Sequence, residues 1–356
     1  MYMYYILILL WGVIYAQSLK IKITQQKIFA AVLFGLTLFL VMGLRDKSVG
    51  SDIWRYFDLY NSQNFYAYGS YNKFEYGFYA YMGLLSYLGF SDHMFLMLTS
   101  LFITVSFTRF FYKYSKNVGL SFYLHLTIGL FVITMSALRQ SMAICFILFA
   151  IDFILERKFL LFLITVYIAT TFHFSAICFF PVYFLFNVKL VSYKRIIYLL
   201  ILMIFLLFFH EILLRAVQKI IPQQYLSLYG IFKVRVKMNI LLVVIAFAIP
   251  VFIVLMWKLT NENIKLISAQ DSFFFILTCI STVITIFALN SIIISRISYY
   301  FIPAYIVLIP NVMSRLSIHF NKLLIYGALI FICFVYFVLG TVGGILEIDN
   351  YRFFFF

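Results

Sequence analysis

Apolar residues run in blocks of roughly 15 to 20 positions along the whole chain, and a helix needs ~20 such residues to cross a bilayer core. Each block therefore predicts a membrane helix. The blocks fall at 2–17, 27–44, 92–110, 118–136, 140–155, 158–172, 175–187, 196–214, 239–258, 271–289, 297–313 and 323–340. Residues 158–187 form one apolar stretch broken at Thr171-Phe172-His173-Phe174-Ser175, and its short halves predict a tight hairpin. The run Gly77–Phe90 is short and rich in Gly and Tyr, which fits a crossing, an interfacial helix or a re-entrant segment. Strands of a membrane barrel alternate with period two, and continuously apolar runs exclude that fold. The expected fold is all-α: a polytopic helical membrane protein with about twelve transmembrane helices. One short re-entrant or interfacial segment and two longer extracytoplasmic loops, 45–76 and 215–238, complete it.

Composition removes the main alternatives. The chain is 65% hydrophobic and 11% charged, with mean hydropathy +1.05. No stretch is left for a soluble domain of ordinary size, so residues 1–356 read as a single integral membrane domain. The first run, Tyr2–Ala16, lacks a positive leader and a small-residue cleavage site, so it reads as a retained helix. Cys145, Cys178, Cys279 and Cys333 fall inside apolar runs without a CxxC or Cys/His cluster, which supports no disulfide framework, metal site or cofactor. The net charge of +15 does not point to nucleic acid, because that would need a solvated basic domain.

Charge placement sets the expected orientation. Six short breaks carry Lys20/Lys22/Lys27, Arg109/Lys113/Lys116, Arg157/Lys158, Lys189/Lys194/Arg195, Lys258/Lys265 and Arg315/Lys322. They share one side if Gly77–Phe90 does not cross, and the positive-inside bias makes that side cytoplasmic. Both termini then lie outside, and Arg45, Asp52, Glu75, Arg139, His173 and Arg296 come to the outer surface. The loop Arg215–Asn239 holds Arg215, Lys219, Lys233, Arg235 and Lys237 without an acid, so an anionic ligand is a reasonable cause.

Ionisable groups near membrane depth are expensive and usually face a cavity or a partner. The densest polar stretch runs from Gly43 to Tyr56, with Asp52 and Tyr56 at i and i+4 on one helix face. It reads equally as a substrate loop or as an interfacial loop with local ion pairs. Arg139 and Arg296 each stand alone at the end of an apolar helix, and with no other charge to explain their position a functional role is favoured over snorkelling to headgroups. Arg45 either joins them or pairs with Asp46 or Asp52. Asp52, Glu75 and His173 are the other ionisable candidates at that surface, and the residues alone do not separate them. The aromatic crowd from Tyr60 to Tyr81 reads mainly as an interfacial belt. Pro181, Pro250, Pro303 and Pro310 lie within predicted spans, where they would kink helices.

The stretch Gly43-Leu44-Arg45-Asp46-x-x-x-Gly50-Ser51-Asp52-x-x-x-Tyr56 resembles the signature of EpsG-like polysaccharide polymerases, with Ser51 where Thr is usual. These belong to the broader Wzy class of O-antigen, capsule and exopolysaccharide polymerases. The likeness continues through Glu75 and Gly77, Leu138-Arg139-Gln140, Phe172-His173-Phe174-Ser175 and Ser295-Arg296-x-x-x-Tyr300-Phe301. It implies an inverting, metal-independent glycosyltransfer at the outer face of the bacterial cytoplasmic membrane. The donor is a glycan on undecaprenyl pyrophosphate, and the acceptor is one lipid-linked repeat unit. The implied catalytic residues are Asp52, His173 and Glu75. Arg45, Arg139, Gln140, Arg296, Tyr56 and Tyr300 would bind substrate or pyrophosphate. Besides this oligosaccharide and membrane lipids, the resemblance admits a chain-length regulator and a flippase as partners. A lipid-linked glycan transporter or an O-antigen ligase are the rival functions.

Overall fold

A computed structural model describes residues 24–62, 75–188, 193–220, 240–260, 267–288, 292–316, 319–342 and 351–355. The expected first span, the aromatic stretch 63–74 and most of the loop 215–238 lie outside the described residues. The chain divides into two compact units, one of residues 1–180 with 318–356 and one of residues 181–317.

The first unit holds α1 (Thr24–Gly43), α2 (Ile53–Ser62), α3 (Tyr76–Tyr87), α4 (Asp92–Tyr114), α5 (Val118–Thr127), α6 (Leu130–Ser136), α7 (Leu138–Leu155), α8 (Phe159–Phe172) and α15 (His319–Val342). The second holds α9 (Val182–Leu185), α10 (Tyr193–Ile220), α11 (Ile240–Leu259), α12 (Ala269–Phe287), α13 (Ile292–Ser298) and α14 (Ile302–Met313). Among the described residues the only extended pairing is an isolated bridge between Arg45 and Phe353. The all-helical expectation holds.

Of the spans that the sequence pattern predicts, the described residues establish four or five. Four described helices are long and apolar enough to cross a membrane, namely α4, α7, α12 and the Tyr193–Ile212 part of α10. The pair α5 and α6 makes a fifth if counted as one span bent by 62°. Its break lies at Gly129, whose φ of +84° is a conformation that favours glycine. Helices α8 and α14 are shorter, at 14 and 12 residues. Residues 175–187 do not form one helix: a 3-10 segment, Phe174–Phe179, precedes the single turn of α9. The expected span 297–313 is likewise split between α13 and α14. Pro303 sits in the first turn of α14, where its missing N–H is no loss, so it starts a helix and does not kink one.

Helix α7 organises the first unit. It packs on α8 and α4, and α4 packs on α1. Near its C-terminal end, buried Asp152 binds Arg109, Lys113 (3.0 Å) and Tyr114 of α4. Its other end carries Arg139, about 20 Å away at 1.5 Å per residue. Both ends of the short helix α3 meet this Arg139 end. Glu75, which precedes α3, reaches Arg139 and His173. The turn after α3 leads directly to the N-terminus of α4, where Asp92 accepts from Asn61 of α2 at 2.9 Å. In the second unit, α12 packs on α10, α11, α13 and α14. Thr282 donates to the Ala246 carbonyl at 2.7 Å, and buried Asp271 pairs with Arg315.

Candidate functional site

The Arg139 end of α7 is built by breaks in the apolar pattern. Ala137 interrupts α6 and α7, so Arg139 falls in the first turn of a new helix. A cation there opposes the helix dipole and calls for a nearby anion. Glu75 supplies it from the N-cap position of α3, an end where an acid is favoured. Its Oε2 accepts from Arg139 Nη1, and its Oε1 lies 2.6 Å from His173 Nδ1. The Phe174 N–H also donates to Oε1, at 3.3 Å. His173 is the C-cap of α8, extended at φ −151°. The break between two short apolar halves thus turns its ring toward Glu75.

Glycine permits this approach. A Cβ on Gly77 would stand 2.2 Å from Thr171 Oγ1 and 3.1 Å from the Thr171 carbonyl carbon. Any larger residue would push α3 off α8 and draw Glu75 away from His173.

Tyr56 closes the other side of Arg139. It is buried on α2, and its hydroxyl is hydrogen-bonded to the guanidinium. Burial pushes the phenol above its ordinary range against the pull of the Arg139 charge, so it stays protonated and accepts from the arginine. Asp52 stands one turn before Tyr56, 29% exposed and 3.6 Å from Arg55. Gln140, the next residue of α7, is buried. The sequence candidates Tyr56, Glu75, Arg139 and His173 therefore form one cluster, and Asp52 stands beside it with its charge acting on Tyr56. Side-chain exposures of 30% for Arg139, 17% for His173 and 12% for Glu75 make it recessed but reachable.

Electrostatics fix the protonation of the centre. Burial alone would raise the Glu75 carboxyl, but the His173 hydrogen bond, the Arg139 charge and the Phe174 N–H together hold it below its ordinary value. An ionised carboxylate only accepts, so His173 donates from Nδ1. In the neutral ring that leaves Nε2 as the lone-pair nitrogen. The arrangement is a carboxylate orienting an imidazole, with an arginine on its second oxygen.

Arg45 has a different place. It is fully buried, and its guanidinium donates to the carbonyls of Met42 and, at 2.6 Å, Met135. These bonds join the end of α1 to the end of α6, just ahead of the turn that carries Arg139. Gly50, at φ +103°, lies against the Met135 carbonyl and the Ser136 hydroxyl, with 3.3 and 3.2 Å left for a Cβ. Asp46 Oδ1 accepts from the Ser48 N–H at 2.9 Å and from its hydroxyl at 2.6 Å.

The chain's last described residues brace the same loop, a contact that sequence reading missed. The Asp46 N–H donates to Arg352 O at 2.9 Å, and the Phe354 N–H donates to Leu44 O at 3.0 Å. The Tyr351 hydroxyl donates to Val41 O at 2.7 Å, and the Phe354 ring lies 4.7 Å from that of His93. Only the run of aromatics at the end of an otherwise plain segment could have hinted at it. Arg296 and Tyr300 belong to the second unit. Arg296 is half-buried on α13, and Tyr300 is fully buried in the turn that follows.

The loop from Gly43 to Tyr56, the Glu75 cap, the Arg139 turn and the His173 break are thus successive parts of one construction. The model of the EpsG family matches residues 28–353, a range that contains all of them. The chain belongs to the EpsG family. This is a Wzy-like polymerase family, so the EpsG assignment points to polysaccharide polymerisation by an integral membrane protein. No curated protein and no solved structure matches the chain.

Proposed function

We propose that the protein extends a polysaccharide by inverting transfer of a growing glycan from undecaprenyl pyrophosphate onto a lipid-linked repeat unit. The observation that carries this reading is the Arg139–Glu75–His173 relay. In the reaction, a hydroxyl of the acceptor sugar attacks the anomeric carbon of the donor's reducing-end sugar. The bond from that carbon to the pyrophosphate oxygen breaks, and undecaprenyl pyrophosphate departs with its electron pair. The proton of the attacking hydroxyl passes to His173 Nε2, while Glu75 holds the imidazole and balances its charge. Removing such a base costs about 10²- to 10⁴-fold in rate.

Glu75 suits the orienting role better than the base role, because both its oxygens are engaged. Asp52, beside Arg55 and one turn from Tyr56, suits positioning of the Arg139 surroundings. Arg139 retains donors beyond those given to Glu75 and Tyr56, and charge-assisted bonds from them would stabilise the leaving pyrophosphate. Arg296 and Tyr300 are assigned a phosphate-binding role on the motif likeness, and Arg45 a supporting one. The reading keeps residues 1–356 as one membrane domain.

The Arg139 end is assigned to the outer face of the bacterial cytoplasmic membrane. Arg109, Lys113, Lys116, Arg157 and Lys158 gather at the Asp152 end, as the positive-inside bias requires of a cytoplasmic side. That α3 begins and ends at the Arg139 end supports a non-crossing segment.

The test is complementation of a gene deletion with wild-type protein or His173→Ala, followed by a glycan ladder. Accumulation of a single repeat unit on the lipid carrier with His173→Ala supports the polymerase. Full-length polymer trapped on the carrier would point to a ligase, and an unchanged ladder would overturn the assignment.

A further inference from the structure

The last turn of a helix leaves carbonyls without an intrahelical partner, and such groups take donors from elsewhere. At the end of α1 two of these donors come from the segment Tyr351–Phe355. The Tyr351 hydroxyl donates to Val41 O at 2.7 Å, and just beyond the helix the Phe354 N–H donates to Leu44 O at 3.0 Å. Between them the Arg45 guanidinium takes the Met42 carbonyl. With the bond from the Asp46 N–H to Arg352 O, this makes one antiparallel bridge centred on Arg45 and Phe353. So short a pairing is marginal by itself. Two side chains reinforce it: the Tyr351 hydroxyl on α1, and the Phe354 ring, 4.7 Å from that of His93 in the first turn of α4.

Two routes lead from this bridge to Arg139. Along the first, buried Arg45 donates to Met135 O at 2.6 Å, and Gly50 lies against the same carbonyl and the Ser136 hydroxyl. Ala137 follows and opens α7, so the loop is tied to the chain immediately ahead of Arg139. Along the second, the His93 ring meets Phe57 of α2 edge-on, with ring centres 5.2 Å apart. The residue before Phe57 is Tyr56, whose hydroxyl is bonded to the guanidinium. The bridge thus braces both segments between which Arg139 is held.

We propose that the segment Tyr351–Phe355 is a latch that sets the position of Arg139, with the Tyr351 hydroxyl and the Phe354 ring as its positioning groups. The inference rests on the polymerase reading for what Arg139 does, whereas docking of the latch is read separately.

The test is a reversible latch in the full chain: Leu44→Cys, Phe354→Cys and Tyr351→Phe, in a Cys178→Ser, Cys333→Ser background. Facing residues of an antiparallel pair stand about 5.5 Å apart at Cα, a separation that a disulfide spans. The reduced protein lacks the hydroxyl and the ring, and its polymerisation should fall at least about ten-fold, since a 1 Å misplacement can cost about 10²-fold. Amide exchange over residues 135–141, read by mass spectrometry, should quicken with it. Oxidation should restore both, and because the two forms are one molecule, a folding defect cannot account for the change. If that variant does not accumulate, Tyr351→Phe by itself should quicken exchange over 135–141 and lower polymerisation by a smaller factor.

A brace that is merely structural would loosen residues 44–48 and leave both exchange over 135–141 and polymerisation alike in the two forms, and that result overturns the proposal. His173→Ala, run beside it, separates the two readings. An unchanged ladder in His173→Ala, with exchange over 135–141 still governed by the disulfide, sinks the assigned chemistry and upholds the latch. A collapsed ladder in His173→Ala, with reduced and oxidised forms alike, sinks the latch and leaves the chemistry standing.

Discussion

Helix α7 carries a carboxylate-centred cluster at each end, and the two are built to opposite purposes. At one end Asp152, on α7 itself, is nearly inaccessible and meets Arg109, Lys113 and Tyr114, all from α4. Two cations and a phenol saturate one carboxylate, and the charged heads of the cations also lie over rings, the Arg109 guanidinium over Phe149 and the Lys113 ammonium over Tyr114. At the other end the carboxylate arrives from α3, the cation from α7, the imidazole from the cap of α8 and the phenol from α2. The first cluster ties two helices together. The second assembles four segments around a group that can exchange a proton, and leaves part of each charged side chain exposed. Counting charged partners would rank the Asp152 cluster higher. Asking which cluster contains a titratable base with an uncommitted lone pair reverses the ranking.

The largest expected difference between the two ends is in turnover. His173→Ala should lower polymerisation by about 10²- to 10⁴-fold, while the protein still assembles in the membrane. Glu75→Gln should approach the same loss, because the neutral amide neither balances the imidazolium nor holds the same tautomer. Asp152→Asn should leave the glycan ladder close to wild type per folded molecule. A ladder that collapses equally in Asp152→Asn and His173→Ala would erase the distinction between the ends.

Next in size is Arg139→Lys, which retains the charge but loses the planar set of donors that reaches Glu75 and Tyr56 together. A loss of about 10²-fold in turnover is expected, comparable to removal of one donor that stabilises developing charge. Gly77→Ala should follow, because α3 must shift to relieve the contact with Thr171. A displacement of about 1 Å can cost up to about 10²-fold when it misplaces a reacting group. Pairing Gly77→Ala with Thr171→Ala should recover part of that activity, and no recovery would mean that the contact does not set the position of Glu75.

How much of this was legible depends on what each residue contacts. Ionisable residues are so few in the apolar pattern that Glu75, Arg139 and His173 stand out in the sequence, and the break around His173 is visible as a polar interruption. Their pairing was not legible, because it depends on α3 closing against α8 through Gly77 and Thr171, far apart in the chain. The sequence offers Arg45 two places, beside Arg139 and Arg296 or paired with its neighbours Asp46 and Asp52. Instead its described bonds reach Met42 and Met135 carbonyls, which no side-chain pattern announces. The helices were legible as apolar runs, but their breaks at Gly129 and between α13 and α14 were not. A hydropathy window averages across a turn whose residues are themselves apolar. The brace of Tyr351–Phe355 on the Arg45 loop is made largely of main-chain bonds and was equally hidden.

The pH response supplies a smaller but more specific comparison. Glu75 is held below its ordinary value in the folded protein, so its folded value lies below its unfolded one. The stabilisation it contributes is full above the ordinary carboxylate range and is lost as pH falls through the depressed value. The gap in melting temperature between wild type and Glu75→Gln should therefore not narrow from pH 7 to pH 5. The gap should close only below roughly pH 4.3. A gap that closes between pH 7 and pH 5 would mean that the Arg139 and His173 contacts do not hold the carboxylate ionised.

The smallest effect on chemistry, and the sharpest test of the comparison, belongs to Asp152→Asn. An amide keeps the shape and can still accept from Tyr114, but it no longer attracts Arg109 and Lys113. Their side chains are 40% and 39% exposed, so both cations can turn toward water and are not stranded in the interior. The loss should therefore lie well under the ~3 to 5 kcal/mol that accompanies breaking a fully buried pair, at about 1 kcal/mol. It should appear as a lower melting temperature in detergent, with glycan chain length unaltered at permissive temperature. High salt should weaken wild type toward the variant, because partly exposed pairs are screened. A variant as stable as wild type would show that α4 and α7 are held by apolar packing alone. A variant that folds normally but makes shorter chains would show that the two ends of α7 are coupled.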